Sequence, residues 1–269
     1  MVIKLLPCNI IDLNSYYGIV KISGGDSMRF LQGQLTCDVA QATEQNAIYG
    51  CYCNIKGRVE FNFWLFKYQN DYYLRVVKSL VKYAIQELHK YAVFSKIQVT
   101  EPKFAFNHYG ILGAVNQVLS EVKLPIIYLN YTKLGVQNLH EIFVQDELVI
   151  THDLAYWHEQ LISHKIPEIH LETKGCFLPH NINLCKLQAV SFTKGCYKGQ
   201  EIVARMEYLG KIKYGLSVIN LVTSLVVPNI QLKLGEDIYD KDNQIVGKIV
   251  NYAGDLALVQ QALTNDCTA

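Results

Sequence analysis

The sequence predicts an α+β body followed by a small all-β tail, and three observations predict it. Up to Gly210, apolar residues recur with both the two-residue period of strands and the 3.6-residue period of helices. Beyond Gly210 the helical period disappears, and short strand-like runs are joined by turns such as Asp240-Lys-Asp-Asn and Ala253-Gly-Asp. Half of the 269 residues are apolar and 18% are charged, which supplies a core and leaves little for disorder.

The elements follow in order. Residues 16–22 read as a strand, and Asp26 or Ser27 caps a helix bearing Phe30, Leu31 and Leu35. Runs 46–54 and 58–68 are aromatic strands joined by Ile55-Lys-Gly57, a hairpin signal, and 71–77 is a third strand. Ser79 caps a helix over 80–91 with Val81, Ala84, Ile85 and Leu88 on its buried side. Strands are expected at 97–100, 105–115 and 126–129, and a hairpin at 141–145 and 148–150. Asp153 caps a helix to about Ser163, which Ile166-Pro-Glu168 ends. Residues 170–193 are mostly loop. The tail offers strands at 212–221, 231–239, 244–252 and 255–261, a pattern expected to form a small barrel or sandwich.

Bulk properties exclude several classes. A net charge of +1 gives no global case for nucleic acid or an anionic membrane. No apolar run approaches the roughly 20 residues that cross a bilayer. The first residues lack the apolar core of a signal peptide, so the expected location is the cytoplasm. There the eight cysteines, at 8, 37, 51, 53, 176, 185, 196 and 267, are expected to be reduced. None forms a C-x-x-C pair, so no metal is expected; Cys51 and Cys53 read as buried small residues on one strand face. The dinucleotide and P-loop glycine patterns are absent, and His158-Glu159 lacks the second histidine of a zinc-protease helix.

One stretch is unlike any core element: Lys194-Gly-Cys-Tyr-Lys-Gly-Gln-Glu201. Gly195 and Gly199 permit unusual backbone angles or a close ligand. From Gln200 a helix begins, with Ile202, Val203, Met206 and Leu209 on one face and Gly210 at its end. A thiol at Cys196, near a helix start and two lysines, is placed to favour its thiolate. The residues leave a reactive and a structural role for Cys196 equally open. Glu201 and Arg205 are spaced for a surface pair or for a polar ligand. Trp157 and Tyr17 suit either a flat ring or the core. Lys186, Lys194, Lys198, Arg205, Lys211 and Lys213 form a local basic run, either solvated or facing an acidic partner.

Lys194-Gly-Cys-Tyr-Lys-Gly-Gln-Glu201 resembles the signature of the YgfZ-type folate-binding proteins, relatives of the glycine-cleavage T-protein. Further blocks resemble the same family in the same order: Arg29-Phe-Leu-Gln-Gly-Gln-Leu-Thr-Cys-Asp38, Asn54-Ile-Lys-Gly-Arg58, Lys90-Tyr-Ala-Val-Phe-Ser-Lys96, Trp157 with Ile166-Pro-Glu168, and Phe177-Leu-Pro-His180. The resemblance implies a T-protein-like α+β fold: two interlocked subdomains around a central funnel over 1–208, then an antiparallel β-barrel over 209–269. It implies tetrahydrofolate, in some form polyglutamylated, as the cofactor, with Tyr17, Trp157, Lys194, Tyr197, Gln200, Glu201 and Arg205 as contacts. Cys196 matches the signature cysteine and is the one catalytic candidate. The implied role is to support assembly or repair of iron–sulfur enzymes, including those that thiomethylate tRNA, as a monomer with no membrane contact; direct contact with tRNA is left open.

Two departures bear on activity. Aminomethyltransferases carry paired aspartates after the hairpin, one needed for methylene transfer, and the corresponding residues here are Phe61 and Asn62. Neither supplies a carboxylate, which argues against aminomethyl transfer. The family's pterin-binding glutamate at the end of the Trp157 helix corresponds to Ser163, with Glu159 and Glu168 the acids nearby. A hydroxyl cannot grip an N–H edge as a carboxylate does. One-carbon transfer and a scaffold without folate therefore remain as alternative readings.

Overall fold

The computed structural model describes residues 8–103, 105–224, 232–239 and 244–263. Strand β1 (Cys8–Asp12) opens the described chain, and β2 (Tyr17–Ser23) leads into helix α1 (Ser27–Gln34). Asp26 precedes α1 without capping it: its carboxylate accepts from the Lys96 backbone N–H instead. β3 (Ile48–Cys53), β4 (Val59–Tyr68) and β5 (Asp71–Val77) form a meander. β4 is buried on both faces from Val59 to Phe66, which explains its unbroken apolar and aromatic reading. Ser79 does not cap the next helix. It lies inside a 3₁₀ turn, Lys78–Leu80, and α2 (Val81–Ala92) starts after it. β6 (Gln98–Thr100) then pairs with β2, completing an antiparallel sheet of order β3-β4-β5-β2-β6.

β7 (Asn107–Gly113), α3 (Val115–Glu121), β8 (Ile127–Asn130) and β9 (Leu139–Val144) follow. They make a second antiparallel sheet of order β1-β7-β9-β8, so its first strand comes from before the five-stranded sheet and its other three from after it. The expected hairpin at 141–150 does not form. β9 pairs with β7 and β8, and 148–150 is not a strand. Helix α3 covers the outer face of this sheet with Val115, Val118 and Val122 packed on Tyr109, Ile111 and Ile142. Helix α4 (Leu154–Ser163) is capped as expected, Asp153 Oδ1 accepting from Tyr156 N at 3.0 Å.

The signature helix is α5 (Gln200–Leu209). Of its expected apolar face only Val203 is buried; Leu209 is 84% exposed and Ile202 lies at the surface. The tail is β10 (Tyr214–Asn220), α6 (Leu221–Ser224), β11 (Asp237–Tyr239), β12 (Ile245–Ala253) and β13 (Leu256–Ala262). Among the described residues these strands form an open antiparallel sheet, β10-β13-β12-β11, with β10 and β11 as edges rather than a closed barrel. The expected turn at 240–243 and the start of the strand at 231–239 lie outside the described residues. No helix among the described residues is long and apolar enough to cross a membrane.

One core runs through all three sheets, joining Leu65 and Phe63 of β4 to Leu129 and Phe143 of the second sheet and Val250 and Leu258 of the third. Trp157 on α4 is its keystone, fully buried with its ring against Gly110 of β7. A Cβ on Gly110 would stand 2.6 Å from the indole Cε3. Replacing Gly110 by Ala should therefore destabilise the fold by about 1–3 kcal/mol, read as a lower urea midpoint. An unchanged midpoint would show that the ring can retreat.

Candidate functional site

Arg75 is the buried centre of the molecule. On β5 it stands opposite Ile19 of β2, so Tyr17, two residues before Ile19, shares its face of the sheet. The guanidinium carbon lies 3.8 Å from the centroid of the Tyr17 ring. Its Nε donates to Glu141 Oε2 at 2.9 Å, Nη2 donates to Glu141 Oε1 and to the Tyr131 hydroxyl at 2.7 Å, and Nη1 lies 3.6 Å from Glu168 Oε1. His108 on β7 completes the group, its Nε2 being 2.6 Å from Glu141 Oε2. A cation buried this deeply is tolerated only because carboxylates and hydroxyls replace its water.

The two carboxylates fare differently. Burial opposes ionisation of Glu141, but Arg75 and the His108 hydrogen bond prevail and hold its carboxyl at about 2. Glu168 is pushed above the usual carboxylate range by burial, against the pull of Arg75 and the Tyr17 hydroxyl. Environments that drive two nearby acids apart mark functional sites. Glu141 is walled in; Glu168 faces a pocket.

That pocket has a volume of about 610 Å³. Its apolar walls are Leu161 and Ile162 of α4 with Ile166, and Leu234, just before β11, and Tyr252 of β12 close it from the other side. Its polar groups are Tyr16, His158, Glu168, His170 and Asn251. Tyr16 donates to Glu168 Oε2 at 3.0 Å and Tyr17 to Oε1 at 2.5 Å. Trp157 Nε1 donates to the Tyr17 hydroxyl at 3.0 Å, so an ordered chain runs from the core to the pocket carboxylate. Asn251 of β12 clips the backbone there, accepting from Glu168 N at 2.9 Å and donating to Glu168 O at 3.0 Å. Burial lowers the His158 imidazole to about 4, and its Nε2 has no partner among the described residues.

Tyr17 and Trp157 thus come together, but as the buried wall behind Tyr16 and Glu168. Ser163 is exposed, its hydroxyl donating to Glu159 O at 2.7 Å. Asn62 is committed elsewhere: its Nδ2 donates to the Tyr49 hydroxyl at 2.5 Å and to Pro167 O at 2.8 Å, and its Oδ1 accepts from Ile169 N at 2.9 Å. It ties β4 to the segment carrying Glu168. An aspartate there would set an oxygen against the Pro167 carbonyl. Phe61 is fully buried and stacked on Tyr52.

The signature residues gather in a second place. The Lys194 ammonium donates to the carbonyls of Gln32, Leu35 and Cys37 at 2.7, 2.6 and 2.9 Å, closing the C-terminal end of α1. Burial lowers it to about 8. Lys198 donates to the Tyr52 hydroxyl at 2.6 Å and faces Glu87 at 3.7 Å. Both ammonium groups expected beside Cys196 are therefore held by other partners, and Cys196 itself is exposed. Tyr197 is buried, and Gln200 Oε1 accepts its backbone N–H at 3.3 Å. Gly199 has φ 80°, and a Cβ there would collide with Asn54 O of the β3–β4 hairpin, so this glycine is required. A Cβ on Gly195 would meet open space. Glu201 and Arg205 lie exposed on α5 and form no ion pair with each other. A polar cavity of about 1010 Å³ between Cys37, Asp38, Tyr49, Trp64, Lys133 and Ser191 adjoins this clasp.

Sequence reasoning missed Arg75, Glu141, His108 and Tyr16. The available signal was a charge within the apolar run of each strand, Arg75 in β5 and Glu141 in β9.

The Glu141 environment fixes a pH dependence. Its folded carboxyl lies near 2 against an ordinary 4.5, so its stabilisation is fully present above 4.5 and is lost as pH falls toward 2. The contribution is on the order of 3 kcal/mol. Glu168, raised, works with the opposite sign and favours the fold at lower pH. Urea unfolding of wild type and Glu141→Gln from pH about 6 to about 3 should show the difference between them shrinking with acid. Parallel curves would contradict this assignment.

No family model matches the chain. It is 30% identical over 275 residues to the tRNA-modifying protein YgfZ of Colwellia psychrerythraea, covering 94% of this chain and 82% of that one. The tRNA-modifying protein YgfZ of Hamiltonella defensa is 32% identical over 235 residues, covering 78% and 69%. Among solved structures, the glycine cleavage system aminomethyltransferase T of Bartonella henselae superposes with a TM-score of 0.69 at 14% identity, covering 95% of this chain and 78% of that one. The last likeness shows the fold; the first two show that this chain belongs to the YgfZ family.

Proposed function

We propose that this protein binds a reduced folate, its pterin in the pocket between α4, residues 166–170 and β12, and acts as an accessory factor in iron–sulfur-dependent tRNA modification. The observation that carries the reading is Glu168: a buried carboxylate oriented by Tyr16 and Tyr17 on the wall of a pocket that Leu161, Ile162 and Ile166 line with apolar side chains. A pterin is flat and presents an N–H edge, and a carboxylate is the group that receives such an edge with two hydrogen bonds. Glu168 takes the place that Ser163 leaves vacant. When bound, the folate would supply a reduced pterin and its one-carbon chemistry; the protein's part is to hold the ring against Leu161, Ile162 and Ile166 and exclude water. The printed names of the relatives supply the link to tRNA modification, and the family resemblance supplies the iron–sulfur clients. The exposed Cys196 is offered to a partner rather than to the pocket.

The aminomethyltransferase fold favours a second reading, catalytic one-carbon transfer. The amide of Asn62, spent on Tyr49, Pro167 and Ile169, opposes it. Purified protein given tetrahydrofolate and an aminomethyl donor should form no methylene-tetrahydrofolate; turnover would reverse the order of the two readings.

Calorimetric titration with tetrahydrofolate tests the site itself. Wild type should bind one equivalent, and Glu168→Gln should weaken binding by about tenfold or more, the loss of a charge-assisted pair. No heat from wild type would leave the scaffold reading standing. In cells, deletion of the gene should lower thiomethylated adenosine in tRNA, and a Cys196→Ala copy should restore it poorly. Full restoration would remove the thiol from the mechanism.

A further inference from the structure

The loop before the signature and the helix after it bring together three groups with no part in the folate pocket. His180 sits in the 3₁₀ turn Pro179–Ile182 with its side chain 1% exposed. Cys185 follows in the same loop, half-buried, and Glu207 reaches over from the last turn of α5. His180 Nε2 lies 3.1 Å from Glu207 Oε2, and one ligand atom from each of the three residues lies within 4.8 Å of the others. His180 Nδ1 is buried and has no partner among the described residues. The neighbourhood is rich in thiols, Cys51 and Cys53 standing with their sulfurs 4.0 Å apart. Tyr197 from the signature adds a buried hydroxyl without a hydrogen-bond partner among the described residues.

We infer that His180, Cys185 and Glu207 form a binding site for a single zinc ion, with the fourth position left to water. One nitrogen, one sulfur and one oxygen are the ligand types zinc accepts, and three protein ligands with an open position is a standard four-coordinate arrangement. A thiolate with an imidazole selects zinc over magnesium or calcium, which take oxygen. The His180 and Glu207 donors already stand 3.1 Å apart, close enough to share one zinc with bonds of about 2.0–2.3 Å, and the partly exposed Glu207 side chain is free to adjust as the sulfur joins them. On binding, Cys185 releases its thiol proton to solvent and the sulfur–zinc bond replaces it; His180 ligates as the neutral imidazole through Nε2, its one ring proton moving to Nδ1, and Glu207 exchanges its contact with Nε2 for the metal. The ion would fasten the loop over 179–185 to α5 and so fix the helix on which the signature ends. The spacing of positions 180, 185 and 207 matches no local zinc motif, which is why the sequence leads one to expect no metal.

Cobalt(II), which reports its ligands by colour, tests the site on the full-length reduced protein. Wild type should bind one cobalt per chain with a thiolate-to-cobalt charge-transfer band and tetrahedral visible absorption, and zinc should displace it. Cys185→Ser should lose the charge-transfer band, while Cys196→Ser, altering an exposed thiol elsewhere, should keep it. Glu207→Gln changes a surface residue and leaves folding intact; it should weaken the cobalt Kd by at least about tenfold, the least that losing even an outer partner of a metal costs. Absence of saturable binding, a band that survives Cys185→Ser, or a Kd unchanged in Glu207→Gln would each overturn the assignment. Folate binding is measured without added metal, so failure here leaves the folate reading untouched.

Discussion

A guanidinium cannot be taken out of water unless its partners are in place before it is fully enclosed, and Arg75 imposes that condition on three parts of the chain at once. Its own strand belongs to the five-stranded sheet, Glu141 and His108 to the four-stranded sheet, and Glu168 to the segment that α4 delivers. Apolar packing alone would allow these layers to slide by a fraction of a side chain. A bidentate ion pair does not, since leaving either charge unpaired costs about 3–5 kcal/mol. The third sheet is then set by Asn251, which binds both backbone groups of Glu168. The pocket carboxylate is thus fixed from the sides and from behind by groups in three separate regions.

The chain shares its fold with an aminomethyltransferase. Within it, the amide of Asn62 both donates and accepts and so bridges β4 to Pro167 and Ile169. A carboxylate accepts only and could not make this bridge. The signature forms a clasp in most of its residues. Lys194 closes α1, Lys198 meets Tyr52 and Glu87, and Gly199 lets the loop pass close under the β3–β4 hairpin. Cys196 is left exposed.

Elements with a strong local signature were legible in the sequence. β5 and the Asp153-capped α4 fall where alternation and the cap placed them, and β4 where its apolar run did. Pairing was not legible. The run at 141–150 looked like a hairpin because alternation reports that a residue is in a strand, not which strand accepts its hydrogen bonds. Helix α3 was hidden because Val115 and Val118 also fit a strand continuing from β7. The tail was read as strands correctly but not as an open sheet, since closure depends on edges that no periodicity reveals. For the site, the aromatic pair Tyr17 and Trp157 was recognisable by resemblance, whereas the Arg75–Glu141 pair spans 66 positions and leaves only the trace of a charge in an apolar strand. Glu168 was visible in the sequence as one of two acids, with Glu159, near the position of Ser163.

The central claim is that the buried network orients the pocket carboxylate for its ligand. Tyr17→Phe tests it most directly, because it removes the hydroxyl that links Trp157 to Glu168 while leaving every pocket-lining side chain in place. Tetrahydrofolate titration of this variant, with its unfolding curve measured alongside, should show a cooperative fold and a Kd weakened by about tenfold, roughly 1.4 kcal/mol. A folded Tyr17→Phe protein that binds tetrahydrofolate as tightly as wild type would contradict the account.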